Sequence, residues 1–413
     1  MNRQELIPHL FRTEYSKIVS VLCKTFGFSQ IALAEDIASE TFLTATETWG
    51  LKGTPKNPRA WLYQVAKNKA RDGFRHNKVF QQKIKPELEH RNTTSIELEI
   101  DLSEPNIKDS QLQMLFAICT PIISKEAQIA LALRILCGFG VTEIAKAFLS
   151  NKETINKRLH RAKEKLRAAK IDLGIPHTIA IEERLDNVIS VVYLLYNEGY
   201  YSTTSEINIR KELCIEAMRL SLLLLDHEPT NLPKTNALMA LFCFHASRFE
   251  ARSNKDGEQT LYFDQDIGAW DQELIKKGVA YLRLSSLGTA ITKYHLEAVI
   301  AYQHTQPNDS KEKWGQILQL YNQLLQLRYS PIIALNRTYA LSKAYGKQVA
   351  LEQALKIDMK NNHFYHLLLA ELYSDSDRKK QKDHLELAMV TATTDHEKKI
   401  ILRKLDKAKQ NGI

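Results

Sequence analysis

Residues 141–168 read VTEIAKAFLSNKETINKRLHRAKEKLRA, and this stretch determines how the chain is interpreted. Its apolar spacing predicts a short helix over Val141–Phe148, a turn over Leu149–Asn151 and a second helix over Lys152–Ala168. The spacing also predicts that one stripe of the second helix is buried, formed by Ile155, Leu159, Ala162 and Leu166. Two short helices joined by a tight turn are typical of a helix-turn-helix motif.

The opposite face of the second predicted helix is basic, with Lys157, Arg158, Arg161 and Lys165 in outward positions. A helix that enters the major groove of DNA needs cations and hydrogen-bond donors on its solvent side. This pattern favours DNA binding over an ordinary basic hairpin whose charges serve only solvation. The turn carries Leu149-Ser150-Asn151 instead of the commoner glycine, so we expect it to be wider than usual.

The charge of the chain is distributed in blocks. Over 413 residues the net charge is +9, but residues 1–85 hold 14 basic against 7 acidic side chains, and residues 140–170 hold 9 against 3. The intervening residues 86–110 hold 2 basic against 7 acidic side chains. Two basic blocks suit a polyanionic partner, because neutralised phosphates release their counterions.

Composition excludes several other classes of protein. With 44% hydrophobic and 25% charged residues, the chain resembles an ordinary globular protein, and no apolar run approaches the length of a membrane span. The N-terminus lacks the layout of a signal peptide, so we expect a cytoplasmic protein without membrane contact. The five cysteines are dispersed without a CxxC pair, which indicates buried thiols. We find no nucleophile, acid–base pair, metal cluster or cofactor motif, and predict that the chain is not an enzyme.

The chain as a whole reads as all-α. Residues 1–85 form a first helical domain, in which a break over 50–58 precedes a helix over about 59–76. An acidic linker over 86–108 and a second helical domain over 109–170 follow.

Residues 177–413 are predicted to form a further helical domain. Ala334–Leu341 and His366–Tyr373 are alike in character and begin 32 residues apart, close to the period of about 34 residues that tetratricopeptide repeats have. This indicates tetratricopeptide-like repeats or another α-solenoid. Tyr193, Tyr196 and Tyr200 share one helical face, as expected of core packing. A ligand groove formed with Trp270 is the alternative.

Two stretches of the first domain resemble a known family. Residues 34–45, AEDIASETFLTA, resemble σ-factor region 2.2, and residues 57–72, NPRAWLYQVAKNKARD, resemble regions 2.3 and 2.4. The predicted helix-turn-helix then falls where region 4.2 belongs. Together these features resemble an extracytoplasmic-function (ECF) σ factor of the σ70 family. Residues 197–200 and 264–271 resemble segments of the subgroup with a C-terminal tetratricopeptide-like extension.

The resemblance implies a set of partners. Core RNA polymerase would be bound through its β′ clamp helices and β flap, with Asp36 and Glu40 presented on one helix face. Phe42 would add an apolar anchor, although a core position is an equal alternative. The loop over 51–57 lies where the family forms its pocket for a melted base. Contacts to the −10 element would come from Arg59, Trp61, Asn68, Arg71 and Arg75, with core packing as the alternative for Trp61.

The resemblance further implies that the basic helix after Lys152 reads the −35 element as duplex. The C-terminal domain would contact the σ domains, the polymerase or an unknown partner as an intrinsic regulator, or would bind a small ligand. Two other classes of protein stay open at this point: a conventional helix-turn-helix regulator with a repeat sensor, and an interaction scaffold. The first leaves residues 36–44 without a role, and the second leaves the helix-turn-helix pattern without one.

Overall fold

The computed structural model describes residues 3–76, 99–171, 173–174, 178–200, 207–252, 260 and 265–410. Over these ranges the chain forms 18 α-helices and no strand, which confirms the all-α prediction. It divides into two compact units, residues 1–231 (unit 1) and residues 232–413 (unit 2). None of the described helices combines the length and the apolar character that a bilayer crossing requires.

Unit 1 contains nine of the helices in its described residues. They are α1 (Arg3–Phe26), α2 (Ile31–Lys52), α3 (Pro58–His76), α4 (Glu104–Ile118), α5 (Lys125–Leu131), α6 (Val141–Ala147), α7 (Lys152–Ala168), α8 (Thr178–Tyr200) and α9 (Ile207–Leu225). A single π-helical turn, Ala132–Leu136, extends α5. Helix α4 begins inside the predicted linker over 86–108, of which residues 86–98 lie outside the described ranges.

Helices α1, α2 and α3 form the N-terminal bundle of unit 1, because each contacts the other two. Apolar residues of α1 such as Ile18 and Leu22 are fully buried, as is Leu62 of α3. This bundle covers most of the predicted first domain, while residues 77–85 of that domain lie outside the described ranges.

Helices α8 and α9 belong to unit 1, although the sequence predicts a domain boundary between residues 170 and 177. Their side chains hydrogen-bond to the backbone carbonyls that helix ends leave without an intrahelical partner. Arg184 of α8 donates to the carbonyl of Phe116 at 2.9 Å, and Arg219 of α9 donates to that of Leu136 at 2.6 Å. The first two helices of the domain predicted over residues 177–413 therefore belong to the same compact unit as the domain predicted over residues 109–170.

Tyr196 and Tyr200 of α8 lie in the core of unit 1. Their side chains are 0% and 3% exposed and their ring centroids are 5.8 Å apart in a stacked arrangement. Tyr193 is half-buried. This packing matches the core interpretation of the tyrosine stripe.

Unit 2 is a series of helices in which consecutive members pack on one another. They are α10 (Pro233–Ala246), α11 (Gln272–Ser285), α12 (Lys293–Gln303), α13 (Lys311–Leu327), α14 (Pro331–Tyr345), α15 (Lys347–Ala354), α16 (His363–Tyr373), α17 (Arg378–Thr391) and α18 (Asp395–Gln410). A core around Trp314 and Ile317 extends from α12 to α16. The two segments of similar character lie in α14 and α16, and each begins a helix pair with its successor.

Unit 2 is expected to lose stability below pH 6.5, because burial keeps some of its histidines neutral. Burial, with Arg248 and Lys313, lowers the pKa of His304 to about 3, and burial also lowers the pKa of His245. In the unfolded chain both titrate near pH 6.5, so the unfolded state binds more protons as the pH falls. Calorimetry should show a melting temperature that falls between pH 7.5 and 5.5. His304→Gln should flatten this dependence, and an unchanged slope would contradict the assignment.

Candidate nucleic-acid and polymerase interface

Helix α7 has the bounds and the buried stripe that its sequence predicts. The Asn151 side chain caps its start by accepting a hydrogen bond from the Thr154 backbone N–H at 2.7 Å. The stripe of Ile155, Leu159, Ala162 and Leu166 is between 0% and 5% exposed. Because this stripe packs against neighbouring helices, the opposite side of α7 must face solvent.

The basic residues of α7 lie on its outer side. Lys157, Arg161 and Lys165 are exposed, while Arg158 is half-buried with its guanidinium 5.5 Å from the centre of the Phe148 ring. Lys157 also pairs with Glu153 at 2.6 Å, an exposed contact that contributes little stability and is easily exchanged for a phosphate.

A groove of about 390 Å³ runs between α7 and the start of α5. Its floor is formed by Ile123, Ser124 and Ala127, and all four predicted DNA-contacting cations line its other side. A concave surface lined by lysine and arginine side chains has the charge and hydrogen-bond donors that phosphate oxygens require.

The turn between α6 and α7 depends on a strained residue. Leu149 adopts a φ of 47°, and the Ser150 N–H donates to the Ala145 carbonyl at 2.8 Å. A left-handed conformation costs a residue with a side chain about 1–2 kcal/mol, which explains why glycine is commoner at such turns.

Leu149→Gly is expected to raise the stability of unit 1, by about 0.5–1 kcal/mol. The leucine side chain is 69% exposed, so its removal loses little burial, while glycine relieves the strain. Hydrogen exchange of peptides from α6 and α7 measures the change locally. Leu149→Ala, which keeps the strain, is the control, and equal protection of the two variants would contradict this interpretation.

Helix α3 carries the predicted −10 contacts, and a buried carboxylate of α1 holds its start. Glu14 is 0% exposed; its carboxylate accepts from the Tyr63 hydroxyl at 2.6 Å and pairs with the Arg59 Nε at 3.1 Å. Burial and the hydrogen bond to Glu14 raise the pKa of Tyr63, so this hydroxyl stays a donor. The Arg59 side chain keeps 57% of its surface exposed.

Sequence reasoning missed Glu14, yet a signal was present. Glu14 occupies the position between Leu10 and Ile18 in the apolar stripe of α1, where a carboxylate is buried and must find donors.

Of the remaining predicted residues of α3, the structure describes the side chains of Asn68 and Arg71 but not that of Arg75. Asn68 and Arg71 are exposed and three residues apart, hence on one face, and Asn68 accepts from the Gln64 side chain at 3.0 Å. Arg75 lies in the last turn of α3, and its side chain falls outside the described residues.

Trp61 packs edge-on against the buried Trp49, with ring centroids 5.3 Å apart. It remains half-buried, so part of its surface is accessible. Most of the Trp61 side chain is therefore packed against the core, which matches the core-packing alternative for this residue.

Helix α2 presents the acidic face that the sequence predicts, but not the predicted apolar anchor. Asp36 and Glu40 are exposed, and Glu40 pairs with Lys69 of α3 at 3.3 Å. Phe42 is 4% exposed with its ring 5.0 Å from that of Phe11, so its assignment to the polymerase contact is corrected to a core position. Leu43, which follows Phe42 in the sequence, is 59% exposed on the same side of α2 as Asp36 and Glu40.

Comparison with known proteins identifies the N-terminal bundle. Residues 10–79 match Sigma-70 region 2, and residues 184–286 match a family of unknown function (DUF6596). The region 2 match supports a σ-factor role in transcription initiation, with core RNA polymerase and promoter DNA as general partners. Members of the Sigma-70 family are not themselves enzymes.

A full-length relative shows the family of the whole chain. The uncharacterized protein R00370 of Rhizobium meliloti (strain 1021) is 32% identical over 387 residues, which are 92% of this chain and 90% of that protein. The chain belongs to the same family as that protein. No solved structure matches it.

Proposed function

We propose that the chain is an alternative σ factor of the ECF type, which brings core RNA polymerase to its own set of promoters. The observation that carries the proposal is the combination of a Sigma-70 region 2 match with the exposed basic face of α7. A conventional regulator needs the basic helix but has no use for region 2.

Each surface then has a distinct role. The acidic face of α2, with Asp36, Glu40 and Leu43, docks on a helical polymerase partner, β′. Helix α3 contacts the melted −10 strand through Asn68, Arg71 and Arg75, since cations and polar groups on one face can track a phosphate backbone. Arg59, at the start of α3, adds a contact from a different side of the helix. Helix α7 reads the −35 duplex through the four cations that line its groove.

The C-terminal part acts in this proposal as an intrinsic regulator of the σ domains. The hydrogen bonds from α8 and α9 to backbone carbonyls of α4 and of the π-helical turn support this role. Unit 2 supplies a tetratricopeptide-like surface for the partner that carries the signal, as the consecutive packing of its helices suits.

Run-off transcription on a promoter pool, read by sequencing, tests the proposal with the full chain and core RNA polymerase. We expect protein-dependent start sites that share two upstream elements. Asp36→Lys with Glu40→Lys should abolish these starts and co-purification with core polymerase, while duplex binding persists. If the unmodified chain bound duplex without polymerase and gave no starts, the conventional-regulator alternative would replace the proposal.

A further inference from the structure

Within unit 1, the helices assigned to −10 binding and to −35 binding are packed together. Helix α1 lies along α4, and α7 contacts the turn at Phe28–Gln30 that precedes α2. Lys24 of α1 binds Asp109 of α4 at 2.5 Å, and Gln111 of α4 donates to Ser16 at 3.3 Å. We call α1–α3 module A and α4–α7 module B.

Glu35 of α2 joins module A directly to α7. Its side chain is only 14% exposed and pairs with Lys163 of α7, whose side chain is 20% exposed. The Arg134 Nε lies 3.9 Å from the same carboxylate. Lys163 projects from the flank of α7, between the buried stripe and the basic outer face. The pair therefore fixes α7 against α2 while leaving the DNA-facing cations exposed.

Arg12 of α1 forms a second junction, which also includes α9. Its Nη2 is 2.7 Å from Glu143 of α6 and 2.7 Å from Glu212 of α9, and its guanidinium lies 3.8 Å from the centre of the Phe139 ring. The second oxygen of Glu143 accepts from the Gly140 N–H at 2.6 Å, which caps α6. One arginine thus ties module A to module B and to α9, the second helix after module B.

The packed arrangement holds the two DNA-contacting helices too close together for a promoter. Glu35 and Glu40 are separated by about 7.5 Å along α2, and each pairs with a lysine, on α7 and α3 respectively. With about 10 Å for each lysine–glutamate pair, the backbones of α7 and α3 lie within about 30 Å. The −10 and −35 elements are centred about 25 base pairs apart, which is about 85 Å of duplex.

We propose that this packing is a closed resting state, held by the Glu35–Lys163 and Arg12 junctions, which must open before the chain can engage both promoter elements. The inference rests on the proposed function, because that function assigns α3 and α7 to the two elements. The Arg12–Glu212 contact makes α9 part of the closed arrangement. A signal that moves α9 would therefore act directly on the contact between modules A and B.

The chemistry of the contact suits a reversible lock. Four of its connections are ion pairs, and in the two that Arg12 forms the carboxylates of Glu143 and Glu212 are 39% and 47% exposed. Pairs with an exposed partner are weak enough to be exchanged for polymerase contacts. At about 0.5 M salt the Debye length falls to about 4 Å, so added salt should weaken the more exposed Arg12 pairs and thereby favour the open state.

The distance between modules A and B can be measured by electron–electron double resonance in the full chain. Spin labels are placed on Thr46→Cys of α2 and Ala168→Cys of α7, both exposed positions. The five native thiols are buried, so labelling should be confined to the introduced cysteines. We expect one short distance at 0.1 M salt, and a second, longer population at 0.5 M salt or when core polymerase is added.

Two variants test the lock itself. Glu35→Lys, which repels Lys163 and Arg134, and the milder Lys163→Met should each populate the longer distance at 0.1 M salt. Both should raise run-off transcription severalfold at limiting polymerase. Glu273→Lys, which disrupts the exposed pair with Lys276 in α11 of unit 2, is a matched charge reversal that should change neither readout.

A short distance that persists in both variants and at 0.5 M salt would overturn the closed-state proposal, as would a long distance in the unmodified chain. Failure of the proposed function has a different signature. In that case the distance responds to salt and to the variants, but no protein-dependent transcript forms in any of them.

Discussion

Replacing Lys157, Arg161 and Lys165 together by alanine is expected to weaken duplex binding about 100-fold near 0.2 M salt. The three side chains are exposed on the outer side of α7 and line its groove, so each can neutralise one phosphate. Loss of three such contacts should reduce the slope of log K against log salt by about 0.9 for each residue. Fluorescence anisotropy with a labelled duplex, titrated at several salt concentrations, gives both quantities.

The matched control removes the same charge from another helix. Lys276, Lys277 and Arg283 are exposed on α11 of unit 2, and their triple alanine variant lowers the net charge equally. Equal losses of affinity in the two triple variants would show that overall charge, and not the face of α7, determines binding.

Glu14→Ala is expected to have the largest effect on stability among the site variants, about 2 kcal/mol. It leaves the Tyr63 hydroxyl and the Arg59 Nε without their buried acceptor, so the contact between α1 and α3 loosens. Hydrogen exchange of peptides from α3 should report faster opening, and transcription should fall because α3 is no longer fixed.

Two variants separate the contributions of Glu14. Glu14→Gln keeps an acceptor for Tyr63 but removes the charge, and should lose less protection than alanine. Arg59→Ala removes one partner of Glu14 but leaves the Tyr63 hydroxyl as a donor, so it should lower exchange protection less than Glu14→Ala while still lowering transcription. Unchanged exchange in Glu14→Ala would show that the carboxylate does not hold α3.

Local periodicity was sufficient to predict α7. The four apolar residues of its stripe are spaced so that only one helix face can be buried, and the cations follow on the opposite side. The same reasoning failed in α2, where apolar residues occupy neighbouring positions. Phe42 and Leu43 are adjacent and therefore lie about 100° apart on the helix, and which of them is buried depends on Phe11 of α1.

The boundary of unit 1 could not be predicted, because the contacts that determine it lack a local signature. Arg184 and Arg219 read as solvated charges in the sequence, but they donate to carbonyls 68 and 83 residues away. Glu35 likewise precedes the acidic residue Asp36 without any local sign of burial, and only the position of Lys163 shows that Glu35 is an internal partner. Such long-range pairs are the main difference between the predicted and observed organisation.

The capping of α4 and the π-helical turn by Arg184 and Arg219 has a consequence for synthesis on the ribosome. The helices that would contact DNA are made first, but the donors that complete their packing are made later in unit 1. At about 5–20 residues per second, the roughly 60 residues after α7 take about 3–12 s to emerge. A nascent chain therefore carries the helices proposed to contact DNA for seconds before the packing of unit 1 is complete. A chaperone or the polymerase would meet these helices first during that interval.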